Sequence, residues 1–119
     1  MLTATCHCGA VSVDAPEAPT KLTSCNCLVC RRYGTLWAYY NAVDVKVNAA
    51  PGAASGYLWG DKSLRFVRCN TCGCVTHWEP VQPTETSHMA VNARNFDPAV
   101  IASLPIRRFD GADTWTYLE

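Results

Sequence analysis

The sequence predicts a small all-β domain of short antiparallel strands, stabilised by metal, with one short helix near the C-terminus. Three observations carry this expectation. Short apolar or aromatic segments alternate with Gly, Pro, Asn and Asp turn residues along most of the 119-residue chain, which is the pattern of many short strands. Only Asp97 to Pro105 carries both start and stop signals for a helix. Seven of the eight cysteines fall into three clusters, Cys6/Cys8, Cys25/Cys27/Cys30 and Cys69/Cys72.

Taken in order, residues 1–13 read as one strand in which Cys6 and Cys8, two apart, face the same side, with Gly9 as a turn or bulge. Residues 14–20 form a polar, proline-bearing turn. Residues 21–25 lead as a strand into the triplet, and Cys30 to Gly34 leave it through a turn or short helical segment. Trp37–Val43 and Asp44–Asn48 read as strands, and residues 49–56 as a surface loop. Tyr57–Trp59 and Ser63–Arg68 form a hairpin around Gly60-Asp61-Lys62. Cys74–Trp78 and His88–Arg94 are further strands. Asp97 caps the helix, Pro98 takes its first position and Pro105 stops it, and Ile106–Glu119 is extended with a turn at Asp110-Gly111.

The length suits one domain spanning residues 1–119. Ten basic residues balance ten acidic ones, so no general attraction to nucleic acid or anionic membrane is expected. No segment approaches the roughly 18 uninterrupted apolar residues of a membrane span. Met1–Thr5 has neither the basic nor the apolar region of a signal peptide. The expected compartment is the reducing cytoplasm, where clustered cysteines mean metal. Disulfides are the weaker alternative, because neighbours at C-x-C and C-x-x-C spacing would have to be split among distant partners.

The cysteines divide as four plus three. A structural zinc is closed by four ligands, whereas a catalytic zinc keeps an open position. Cys6, Cys8, Cys69 and Cys72 are expected to form a closed four-thiolate site, with Gly73 letting the second knuckle fold back. Cys25, Cys27 and Cys30 form a three-thiolate site whose fourth position is left to water, a substrate thiolate, Cys74, His77 or His88. Three thiolates donate heavily to zinc and make it a weak Lewis acid, poorly suited to generating hydroxide and better suited to holding a soft incoming thiol. His7 faces away from Cys6 and Cys8 in an extended segment and reads as a surface residue more readily than as a ligand. Cys74 reads first as a small buried residue, and otherwise as an alternate ligand or redox partner of the triplet.

Cys6-His7-Cys8-Gly9-Ala10-Val11, Ser24 to Arg32 with its cysteine triplet, Phe66 to Gly73 with its Cys-x-x-Cys-Gly, Val91-Asn92-Ala93-Arg94 and the Asp110–Trp115 ending together resemble the glutathione-dependent formaldehyde-activating enzyme family, whose domain is shared with centromere protein V. The resemblance spans nearly the whole chain. It implies a β-tent fold with two Zn2+ per chain, Cys6, Cys8, Cys69 and Cys72 matching the structural site and Cys25, Cys27 and Cys30 the catalytic one. The implied activity is that of a carbon–sulfur lyase joining glutathione, or another thiol, to a small aldehyde such as formaldehyde. Cys74 departs from the simple seven-cysteine pattern.

Arg31, Arg32, Lys62 and Arg94 are candidates for glutathione carboxylates, against the plainer reading of a solvated face. Trp37, Tyr39, Tyr57 and Trp59 are candidates for pocket walls, against ordinary core packing. Two other functional classes compete: a non-enzymatic zinc-binding module that contacts protein, and a redox or metal sensor built on the triplet and Cys74. The reading leaves a homodimer open.

Overall fold

The computed structural model describes all residues from Met1 to Glu119. Ten strands follow one another as β1 (Leu2–Thr5), β2 (Val11–Ala15), β3 (Leu22–Cys25), β4 (Trp37–Asn41), β5 (Lys46–Ala49), β6 (Ala54–Leu58), β7 (Leu64–Cys69), β8 (Val75–Pro80), β9 (His88–Asn92) and β10 (Ile106–Phe109). Two single-turn helices, α1 (Cys30–Tyr33) and α2 (Pro98–Ile101), are set between them. The mostly-β expectation therefore holds. The strands form a three-stranded sheet in the order β1-β2-β5 and a seven-stranded sheet in the order β10-β3-β4-β9-β8-β7-β6.

The N-terminal segment is two strands rather than one. β1 and β2 pair antiparallel, with Leu2 opposite Ala15 and Thr5 opposite Ser12, and Cys6–Ala10 is the turn between them. Gly9 has φ +86°, a left-handed conformation that glycine adopts without steric cost. The pairing of Cys6 and Cys8 is thus a product of turn geometry, not of strand alternation. Val11, Val13 and Ala15 alternate inward along β2 and are wholly buried, while Ser12 and Asp14 face outward and are tied by Asn48 Nδ2 at 3.2 and 3.0 Å.

Other boundaries move for similar reasons. Residues 49–56 are not all loop, since β6 begins at Ala54 and pairs with β7 from Ala54 opposite Cys69 to Leu58 opposite Arg65. A glycine and small residues carry no strand signal of their own, so the pairing is imposed by β7. The predicted hairpin turn is present, with Gly60 and Lys62 both at positive φ. α2 has its Asp97 cap, whose Oδ1 accepts from Ala99 N at 2.9 Å, but it ends at Ile101, short of Pro105. The C-terminal strand departs from the antiparallel rule: β10 runs parallel to β3, Ile106 opposite Leu22 and Phe109 opposite Cys25. The crossover through α2 makes this direction available.

The two sheets enclose a core of Val13, Ala15, Leu22, Leu36, Ala38, Tyr40, Val91, Ala93 and Phe96. A second cluster gathers Cys30, Trp37, Phe66 and Ala90 on the other face of the large sheet. His77, at 0% exposure, is the largest buried polar side chain; it is matched by Thr76 Oγ1 at 2.8 Å and Glu79 Oε1 at 3.2 Å, as a buried polar group requires.

Leu22 is 1% exposed in the inter-sheet core, so Leu22→Ala should cost about 2–5 kcal/mol of stability. Leu28, 58% exposed, should tolerate the same change within about 0.5 kcal/mol. Urea unfolding of the zinc-loaded variants checks both, and equal effects would contradict the assigned core.

Candidate metal centres

The first centre forms where the two sheets meet. Cys6 and Cys8 come from the β1–β2 turn, and Cys69 and Cys72 from the end of β7 and the turn after it. Their four sulfurs lie within 4.8 Å of one another, with Cys6 to Cys8 at 3.8 Å and Cys8 to Cys69 at 3.5 Å. Tetrahedral Zn–S bonds of about 2.3 Å would place sulfurs roughly 3.8 Å apart. The donor set and spacing fit zinc.

Each knuckle curls so that its backbone donates toward sulfur: Val11 N to Cys6 Sγ and Thr71 N to Cys69 Sγ, both at 3.4 Å. Gly73, at φ +79°, closes the second knuckle and donates to Cys69 O at 2.9 Å. Hydrogen bonds from the backbone N–H groups of Cys74 and Cys8 bring the Cys72 thiol down to about 5. Such a thiol is ionised at neutral pH and ready to ligate.

The second centre is the triplet. Cys25 ends β3, Cys27 sits in the following turn and Cys30 opens α1. Their sulfurs also fall within 4.8 Å of one another, and no fourth His, Cys, Asp or Glu joins that group. Gly34 caps α1 in the left-handed region and donates to Cys30 O at 3.0 Å, holding the turn closed. Cys30 N donates to Cys27 Sγ, and Trp37 Nε1 to Cys30 Sγ, each at 3.4 Å. In the metal-free chain the hydrogen bond from Cys30 brings Cys25 down to about 6, and the same bond, with burial, pushes Cys30 up. Of that pair, Cys25 is the more readily ionised. The three-sulfur set fits a soft metal with one position left for an outside ligand.

The triplet forms the floor of a cavity of about 570 Å³. Trp37, Tyr39, Trp59, Trp78, Phe109, Trp115 and Tyr117 supply aromatic walls, and Asp61 is the one charged side chain among its sixteen lining residues. Of the expected wall residues, Trp37, Tyr39 and Trp59 take that place, whereas Tyr57 lies exposed on β6. None of the four candidate cations lines the cavity. Arg32 donates to Leu28 O and Arg94 to Gly34 O, both at 2.7 Å, so each braces the backbone around α1. Arg31 and Lys62 are exposed.

The alternative ligands also lie elsewhere. Cys74 stands beside Cys72 at the four-sulfur centre, hydrogen-bonded to it. His77 is committed to Thr76 and Glu79. His88 borders a separate hollow with Glu17 and Asn41, and His7 is exposed.

A latch not recognised in the sequence ties the C-terminal turn to the triplet. Asn26, between two of the cysteines, donates through Nδ2 to Asp110 Oδ1 and accepts from Ala112 N through Oδ1, both at 3.0 Å. Asp110 Oδ2 accepts from Thr114 N at 3.1 Å and from Thr114 Oγ1 at 2.9 Å. These bonds, Asn26 first, hold the Asp110 carboxyl below its ordinary value. A Cβ on Gly111 would meet Cys25 Sγ at 2.7 Å, so only glycine lets the turn lie against the sulfur. A turn at Asp110-Gly111 is legible from the dipeptide, but its partner is 84 residues away and carries no local signal.

Three outcomes test this description. Cys69→Ser should forfeit most of the folding energy that a structural zinc supplies, on the order of 10 kcal/mol, and unfold the chain. Cys27→Ser should lose one metal and keep the fold, as read by native mass spectrometry with circular dichroism. Gly111→Ala should weaken metal retention at the triplet while the four-sulfur centre is unchanged, measured by competition with a chelator.

Asp110 sets a pH dependence. Its folded pKa lies below the unfolded one, so the latch contributes stability fully above the ordinary carboxylate pKa of about 3.9. That contribution is lost as pH falls through the folded value. Protection of the Thr114 amide against hydrogen exchange should persist to below pH about 4 in the native chain, and Asp110→Asn should weaken it already at pH 7.

The family model of the glutathione-dependent formaldehyde-activating enzymes matches residues 1–105. No curated protein matches the chain significantly. A crystal structure of a Rhodobacter sphaeroides protein is similar at 26% sequence identity and a TM-score of 0.71, covering 88% of this chain and 99% of that one. With the match reaching from the first knuckle through both cysteine groups to the end of α2, the chain belongs to the glutathione-dependent formaldehyde-activating enzyme family.

Proposed function

We propose that the chain, acting as one domain over residues 1–119, is a zinc enzyme of carbon–sulfur lyase type that makes and breaks thiol adducts of a small aldehyde. Glutathione and formaldehyde are the pair that the family name supplies. The observation that carries the reading is the three-sulfur group at the floor of an aromatic cavity. A purely structural site would be closed by a fourth protein ligand. The absence of a membrane-length apolar helix and eight free cysteines accord with action in a reducing cytoplasm.

Zinc, when bound by Cys25, Cys27 and Cys30, supplies a soft Lewis acid that favours an incoming thiol in its thiolate form. The chain's own residues orient and protect that chemistry. Trp37 Nε1 and the Cys30 amide fix two of the sulfurs, and the aromatic walls exclude water, which strengthens every charge interaction inside. In the net reaction the thiol sulfur bonds to the aldehyde carbon and the carbonyl π pair moves to oxygen. That oxygen takes up one proton as the thiol gives one up, so the hemithioacetal forms without oxidant or reductant. The reverse direction is the lyase reaction.

Tyr39 is the proton donor to the aldehyde oxygen in this reading. Desolvation, with Tyr117 and the triplet sulfurs adding negative charge, pushes its pKa up, although nearly half of the residue stays exposed. The phenol stays protonated throughout the neutral range and is available as an acid at the cavity wall.

Zinc-loaded protein should accelerate adduct formation between a thiol and formaldehyde, followed by NMR exchange between free aldehyde and hemithioacetal. Tyr39→Phe should reduce that rate by about 10²-fold while leaving thiol affinity within a factor of two or so. Thiol binding without any acceleration in the native chain would argue for a binding module instead.

A further inference from the structure

Resting on the thiol-binding reading above, we propose that this cavity selects a neutral aromatic or bulky apolar thiol, and its aldehyde adduct, over a thiol that carries two carboxylates, such as glutathione. Glutathione brings two carboxylates, and a site built for it would present cations to them. The walls present no Lys, Arg or His, and their one charged group, Asp61, is an anion. Ser63 N donates to Asp61 Oδ1 at 3.0 Å, which favours the ionised carboxylate. Three thiolates outweigh a divalent ion by one negative charge, and a bound thiolate ligand adds another. Further anions in a water-poor cavity are therefore opposed by the site itself.

The nearby cations do not line the cavity, Arg31 and Lys62 being exposed outside it. Arg32 and Arg94 brace α1 through backbone carbonyls, and Arg107 is paired with Glu119 at 2.9 Å. What the cavity offers in place of charge is aromatic surface. Trp59 and Trp78 stand on the hairpin side, and Phe109, Trp115 and Tyr117 on the C-terminal side.

That second wall comes from the C-terminal tail, beyond the residues 1–105 that the family model matches. It is also built, not incidental. Phe109 packs edge-on against Trp115 at 5.1 Å and Tyr117 at 5.0 Å. Trp115 sits at φ +58°, an unfavourable backbone for a bulky residue. It is held there by its N–H to Asp110 O and by Asp110 N to Thr116 O, both at 2.8 Å. The residue nonetheless remains 70% exposed. A large aromatic side chain held in a strained turn at a cavity edge, with most of its surface free, is arranged to cover an apolar ligand.

Calorimetric titration of the zinc-loaded full-length chain with benzyl mercaptan, glutathione and benzyl alcohol tests the proposal. Benzyl mercaptan should bind at least about tenfold more tightly than glutathione, an increment expected from aromatic packing in the cavity. Trp115→Ala, verified to retain both metals and the native circular dichroism, should lose most of that preference without weakening glutathione. Any residual glutathione binding should not weaken as salt rises, because no cation recruits it and screening relieves the repulsion.

Glutathione binding as tightly as benzyl mercaptan, or weakening steeply with salt, would overturn the inference and leave the thiol-site reading intact. An unchanged preference in Trp115→Ala would overturn the role of the tail. Benzyl mercaptan binding no better than benzyl alcohol would remove the thiol-site reading and the selectivity with it.

Discussion

Four sulfurs from two different sheets converge on one point, and the rest of the molecule depends on that convergence. Cys6 and Cys8 belong to the turn of the three-stranded sheet, while Cys69 and Cys72 terminate a strand of the seven-stranded sheet. Cys6 and Cys69 are almost wholly buried. Thiolates brought this close without a cation would repel one another in a medium that screens poorly. A divalent ion held there would convert the repulsion into a cross-link between the sheets. A domain of this size buries a limited core, and a metal clamp would make up the difference. Val11, Ala53, Ala54 and Cys74 pack around Cys6 and Cys69, while Cys8 stays exposed.

The second sulfur group is related to the first by contrast. It lies within a single segment, clamps no distant element, and faces a cavity. Its rigidity comes from hydrogen bonds made by Trp37, the Cys30 amide and the Gly34 cap. The parallel pairing of β10 with β3 then sets Phe109 opposite Cys25. Asn26 N donates to Phe109 O at 3.2 Å, and the chain leaves that bond directly into the Asp110–Thr114 turn. One unusual strand direction thus delivers the tail to the mouth of the site. The two sulfur groups thus differ in setting, one joining two sheets and the other facing an apolar cavity.

Much of this was legible in local sequence. The cysteine spacings separated into a four and a three, and Asp97-Pro98 and Gly60-Asp61-Lys62 marked a helix start and a hairpin. Each of these signals acts over a few residues, where backbone stereochemistry leaves few options. The misreadings share a cause as well. Residues 1–13 alternate well enough for one strand, yet Gly9 turns the chain because Val11 to Ala15 pair back on Leu2 to Thr5. Ala54 to Gly56 look like loop until β7 offers them hydrogen bonds. Cys74 lies two residues from Cys72 and joins its neighbourhood, so the alternative that made it a ligand or redox partner of the triplet overlooked the simplest local geometry.

By itself the sequence determined the ligand chemistry, because sulfur count, spacing and the glycines that free each knuckle are properties of short segments. It also determined the β-rich character, through alternation and turn residues. The tertiary structure decided which elements face one another. Asp110 meets Asn26, Gly111 lies against Cys25, and Trp78 and Tyr117 line the same cavity. These contacts join residues far apart in the chain, and their energies depend on strand order and direction. No local preference encodes a parallel return through α2, so the shape and charge of the cavity emerge only when the sheets are assembled.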